Sequence, residues 1–105
     1  MSEPNLGRLN LHAYGRVTAA GVLSNGVNVL SVVKGAAGLY TVNLGSEIDP
    51  TQRYVAVGVV GAVGGFGQRD AAGDTDSALA PRTFNVAGAA TDLDFEFFVY
   101  RTNLP

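Results

Sequence analysis

His12 is the only histidine in the sequence, and cysteine is absent. Ser-His-Asp hydrolysis would have to run through that one imidazole. His12 falls on the polar side of an alternating stretch, and no nucleophile-elbow motif accompanies it. It is therefore read as a surface or interface histidine. Without cysteine there is neither thiolate chemistry nor a disulfide framework. Asp70, Asp74 and Asp76 lie together in a Gly-containing stretch, residues 61–77. Oxygen-rich loops bind calcium, but this spacing does not match the helix-flanked calcium loop. The expectation is a solvated, mobile loop with no metal. Asp92, Asp94 and Glu96 could suggest the paired carboxylates of a glycosidase. Asp94 and Glu96 share one side of a strand. Their expected work is to keep that strand soluble or to pair with Arg53, Arg82 or Arg101. Gly61, Gly64, Gly65 and Gly67 neither follow a strand-to-helix pattern nor end in Lys-Ser or Lys-Thr, so they make no phosphate loop. No enzyme activity and no cofactor are implied.

The aromatic residues divide into two groups. Tyr40, Tyr54, Phe84, Phe95, Phe97 and Phe98 are read as core or subunit interface. Tyr14 and Phe66 are the expected exposed aromatics, a type that can stack on sugars.

Length and composition set the frame for these side chains. A chain of 105 residues suggests one domain. With 47% apolar and 15% charged residues it can build a core. So few charges among so many Val, Ala and Gly suggest that another subunit covers part of the surface. The net charge is −2 and the seven Lys and Arg form no run. Nucleic acid, which needs clustered cations, is not an expected partner. No stretch reaches the roughly 18 apolar residues of a membrane span. Met1-Ser2-Glu3-Pro4-Asn5 carries neither the basic nor the apolar region of a secretion signal.

The positioning elements read as strands. Residues 1–8 form a flexible arm and 9–105 one domain. In 9–18, Leu9, Leu11, Ala13, Gly15 and Val17 alternate with Asn10, His12, Tyr14, Arg16 and Thr18, a half-buried antiparallel strand. Asn25-Gly26 marks a turn. Residues 28–34 form a Val-rich strand that reverses through Gly35-Ala36-Ala37-Gly38 into residues 39–44. There Tyr40, Val42 and Leu44 face the core, and Leu39, Thr41 and Asn43 face outward. Residues 45–52 are a loop stiffened by Pro50. Residues 53–62 are apolar on both faces, inside a sandwich or at a subunit contact. Residues 78–86 are a strand whose first half Pro81 demotes. Residues 87–92 turn. The last strand, 95–101, sets Phe95, Phe97 and Val99 against Glu96, Phe98 and Tyr100. Six or seven short strands and no capped helical period mean an all-β antiparallel sandwich or barrel.

Four segments carry a resemblance. Gly38-Leu39-Tyr40-Thr41-Val42-Asn43-Leu44, Tyr54-Val55-Ala56-Val57, Arg82-Thr83-Phe84-Asn85 and Phe97-Phe98-Val99-Tyr100-Arg101 resemble, in order and spacing, a small β-domain. It occurs at the C-terminal ends of bacteriophage tail-fibre and other virion proteins. The likeness spans about residues 11–101. It implies a jelly-roll-like β-sandwich forming a three-fold homotrimer, similar to complement-type and tumour-necrosis-factor-like knobs. One sheet would face the three-fold axis, with Tyr54, Val57, Val59, Phe98 and Tyr100 at the trimer interface. The implied setting is a virion surface. The knob would act as fibre tip, head fibre or decoration protein, binding a host-surface glycan or protein or stabilising the particle. Residues 1–8 would dock on other capsid or tail proteins. Receptor contacts are expected from Tyr14, Phe66, Gln68, Arg69, Asp70 and Asp74, since loops on a rigid scaffold carry recognition. As a whole gene product the chain would be an auxiliary virion protein; as a fragment, the knob of a longer fibre. A bacterial lectin-like adhesion module binding surface glycans is the alternative. The family carries no catalytic motif.

Overall fold

Phe95–Arg101 lies at the middle of the fold because it can bury one side completely and half-bury the other. In the computed structural model, which describes residues 10–61 and 64–102, this last strand is β9. Nine strands occur among the described residues: β1 Asn10–Val17, β2 Leu23–Val27, β3 Val29–Lys34, β4 Tyr40–Leu44, β5 Arg53–Val59, β6 Phe66–Arg69, β7 Ala78–Leu79, β8 Pro81–Phe84 and β9. Every pairing is antiparallel, and no α-helix occurs among the described residues. The expected arm 1–8, and Leu9 and Ala62 of the expected strands, lie outside the described residues.

One sheet has the order β2-β1-β9-β5. The facing layer is β3-β4-β7 with a β6-β8 ribbon beside it. A bridge between Leu39 and Arg82 joins the two parts of that layer, and the Thr83 amide donates to the Gly38 carbonyl at 2.9 Å. First and last strands are neighbours in the first sheet, and the chain passes repeatedly between the two layers.

The core is the inward side of both layers. Tyr40, Val42, Leu44 and Leu79 meet Ala13, Val17, Phe95, Phe97 and Val99, with Ile48 closing one end. Strict alternation in β4 produces this directly: Tyr40, Val42 and Leu44 are buried and Thr41 is exposed. The expected β3–β4 hairpin forms across Gly35-Ala36-Ala37-Gly38, where Gly38 takes φ +69°. Gly15 pairs with Phe97, and a Cβ there would stand 2.5 Å from that ring, so only glycine lets the ring lie flat on β1.

Several expectations are corrected. Asn25-Gly26 does not turn; it lies inside β2, opposite Arg16 and Gly15. The reversal comes earlier, where Thr18 exchanges backbone bonds with Val22 and Gly21 and its hydroxyl accepts the Val22 amide. Asn28 stands outside β3 at φ +58°, a conformation asparagine tolerates, and passes the chain between layers. β1 bulges between Leu11 and Ala13, which turns Leu11 outward and buries His12. β5 is an edge strand with Tyr54 exposed, so its second face is not buried within this chain. The expected strand 78–86 is broken at Ala80, and Val86 is exposed in a turn. Residues 61–77 are not one surface loop: they contain β6 and a 3-10 turn at Ala71–Gly73.

Candidate functional site

The outward side of the first sheet is ordered in rows by its strand registers. Tyr54, Tyr100 and Leu11 form one row across β5, β9 and β1. Ala56, Phe98, Tyr14 and Val27 form the next, reaching β2. Gly58, Glu96, Arg16 and Asn25 form the third. Two rows are thus aromatic and aliphatic, and one is polar. Leu11, Val27 and Tyr54 are 49%, 52% and 57% exposed. Tyr14 lies 5.0 Å from Phe98 and Phe98 6.3 Å from Tyr100, centroid to centroid. The Tyr14 hydroxyl donates to Glu96 Oε2 at 2.6 Å. That bond to the carboxylate holds the phenol above its ordinary value. It also ties down the Glu96 carboxylate of the third row.

Tyr54, Phe98 and Tyr100 of the expected interface therefore share one face. Val57 and Val59 do not. They register with Phe97 and Phe95 and face the other side, where Val57 packs on the core. The alternation of β5 separates them from Tyr54. Leu11 and Val27 were not expected here. The β1 bulge moves Leu11 outward, and residue types carry no signal of a bulge.

The expected receptor set also divides. Tyr14 belongs to the sheet face just described. Phe66 and Gln68 point outward from the β6-β8 ribbon, opposite Phe84 and Arg82. Phe84, expected in the core or at an interface, instead stacks on Phe66, with centroids 5.0 Å apart and planes 16° apart. Arg69 stays partly exposed and pairs with Asp74 at 3.2 Å. Asp70 accepts the Ala72 amide and so shapes the 3-10 turn.

Asp74 is not a loop carboxylate in solvent. Its side chain is 3% exposed, and its Oδ2 lies 3.3 Å from Arg53 Nη2. Arg53 is buried, with Nη1 donating to the Ile48 and Thr75 carbonyls and Nη2 to the Ala78 carbonyl. The three aspartates expected near one another thus have separate structural roles: Asp76 receives the Ile48 amide on its backbone carbonyl. Among the described residues no group of three His, Asp or Glu could hold a metal ion.

His12 Nε2 lies 3.0 Å from the Ser46 carbonyl, and the Asn28 amide donates to the His12 carbonyl and to Ser46 Oγ. The expected surface position is thereby corrected: the imidazole is part of the joint between layers. Asp94 receives the Ala19 amide and Glu96 the Tyr14 hydroxyl, so neither pairs with an arginine among the described residues. Asp92 receives the Gly38 amide at 2.7 Å and the Lys34 ammonium at 3.1 Å. The backbone bond chiefly, and then Lys34, hold its carboxyl below the ordinary aspartate value.

What the molecule offers is two aromatic surfaces on a rigid scaffold. No family model, no curated protein and no solved structure matches this chain.

Proposed function

We propose that this chain is a non-enzymatic structural and recognition module of a bacteriophage particle, a jelly-roll-like knob that assembles as a homotrimer on the virion surface. The observation that carries this reading is the outward face of the β2-β1-β9-β5 sheet. Six apolar or aromatic side chains, Leu11, Tyr14, Val27, Tyr54, Phe98 and Tyr100, occupy two adjacent rows there. The charged residues of the third row, Arg16 and Glu96, stand opposite each other. A face so apolar and so nearly neutral gains free energy when covered and does not repel a copy of itself. Closed symmetry covers it with identical copies and leaves no open end. The number three comes from the likeness of the 38–44, 54–57, 82–85 and 97–101 segments to trimeric virion knobs.

The same likeness supplies the setting: attachment to capsid or tail proteins through residues 1–8, and contact with a host surface by the exposed ribbon. Gold-labelled antibody against the chain, applied to phage particles released from cells that make it, tests this. Label on the particle surface is the expected result; unlabelled particles beside abundant free protein would overturn it. The Phe66–Phe84 pair beside Gln68 and Arg82 favours a second reading, a bacterial lectin-like adhesion module.

A further inference from the structure

The β6-β8 ribbon presents four outward side chains in a two-by-two array, Phe66 opposite Phe84 and Gln68 opposite Arg82. The two rings are stacked, and Phe66 is 45% exposed. The Arg82 guanidinium carbon lies 5.6 Å from the centre of the Phe84 ring. Arg82, like Arg16 and Arg101, makes no ion pair among the described residues, unlike Lys34, Arg53 and Arg69. Lys34 pairs with Asp92, and Arg53 and Arg69 share the single carboxylate of Asp74. Among the described residues Arg82 has no carboxylate partner, and its Nε is buried without a hydrogen-bond acceptor.

We infer that this ribbon face binds an acidic saccharide, a pyranose carrying a carboxylate. The inference rests on the reading of the chain as a surface recognition module. The chemistry is divided among the four side chains. A guanidinium is a flat fork of donors matched to a carboxylate, and here an aromatic ring beside it limits its orientations. The exposed phenyl surface suits the apolar C–H side of a sugar ring, because an aromatic face carries partial negative charge. Gln68 supplies both donors and an acceptor for hydroxyl groups. Hydrogen bonds from the β6-β8 pairing hold all four on one rigid surface, so little order has to be imposed on binding. A flat face with a lone cation fits a sugar better than an acidic peptide, which would need a groove or a free strand edge.

The test titrates the full chain with oligosaccharides of galacturonic acid, glucuronic acid and N-acetylneuraminic acid, and with a neutral galactose oligosaccharide. Amide shifts are followed by two-dimensional NMR, and the mass of the same sample is taken by light scattering. The expected result is that at least one acidic oligosaccharide perturbs residues of β6 and β8. The neutral one should bind roughly tenfold more weakly, as should Arg82→Gln toward the acidic one. Phe66→Ser, at an exposed position, should also weaken binding roughly tenfold and keeps the test decisive if Arg82→Gln unfolds. Absence of shifts with all three acidic sugars at millimolar concentration would overturn the inference. So would equal binding of the neutral sugar, or shifts confined to the β2-β1-β9-β5 face. A trimer that binds no sugar refutes this inference alone, whereas a monomer that binds one refutes the assembly alone.

Discussion

Replacing Asp74 with asparagine should be among the most damaging single changes in this molecule. The substitution keeps the shape and removes one negative charge. Arg53, whose side chain is fully buried, would lose its only ion-pair partner among the described residues; Arg69 would lose the same carboxylate. The three carbonyls around Arg53 accept from Nη1 and Nη2 but leave Nε without an acceptor and the net charge uncompensated. Breaking a buried pair from one side costs about 3–5 kcal/mol. With about 4–8 °C per kcal/mol for a domain near this size, Asp74→Asn should melt at least ~12 °C below the parent. Arg53→Met should cost a similar amount, because it strips donors from the Ile48, Thr75 and Ala78 carbonyls. The double variant Arg53→Met/Asp74→Leu removes both charges together. Its cost should fall short of the sum of the single changes by about 1–3 kcal/mol. Urea denaturation with a fitted slope for each variant measures this cycle. Additive costs, or an Asp74→Asn protein within about 0.5 kcal/mol of the parent, would refute the buried-pair reasoning.

Tyr40 is fully buried beside Phe95, and its hydroxyl donates to the Ala19 carbonyl at 2.8 Å. Tyr40→Ala should cost about 3–5 kcal/mol, and Tyr40→Phe only about 1 kcal/mol; equal melting of the two variants would contradict the role given to the ring. The Asp92 carboxyl is held below its ordinary value, so folding favours the ionised form. Its contribution is present above the unfolded value near 3.8 and is lost as pH falls through the lower folded value. Asp92→Asn should therefore flatten the acid limb of a melting-temperature profile below pH 3.8, and an unchanged limb would count against it.

The sequence made the alternating elements legible. β4 and β9 declare their buried sides because period two is unbroken and the inward set is large and apolar. The glycine-flanked hairpin between β3 and β4 was equally plain. Two kinds of feature were not. A bulge changes phase without a residue signature, so Leu11 and His12 exchanged the positions that alternation assigns them. Long-range pairing is hidden too: Asp74 reads as a loop aspartate until β5 brings Arg53 against it. The ribbon surface was half visible. Phe66 and Gln68 stood out as exposed candidates, but Arg82 and Phe84 joined them only through the register of β6 with β8. The alternation of Arg82-Thr83-Phe84 around a buried Thr83 is the signal that could have revealed them.

In the proposed trimer, copies of this chain cover the aromatic face of the β2-β1-β9-β5 sheet. Sedimentation equilibrium of the parent protein and of Phe98→Arg, with circular dichroism to confirm folding, tests it most directly. The parent should sediment as three copies of the 10.8-kDa chain, about 32 kDa, and a folded Phe98→Arg as the single chain. A parent protein at the mass of one chain, or a Phe98→Arg variant that still sediments at about 32 kDa, would contradict it.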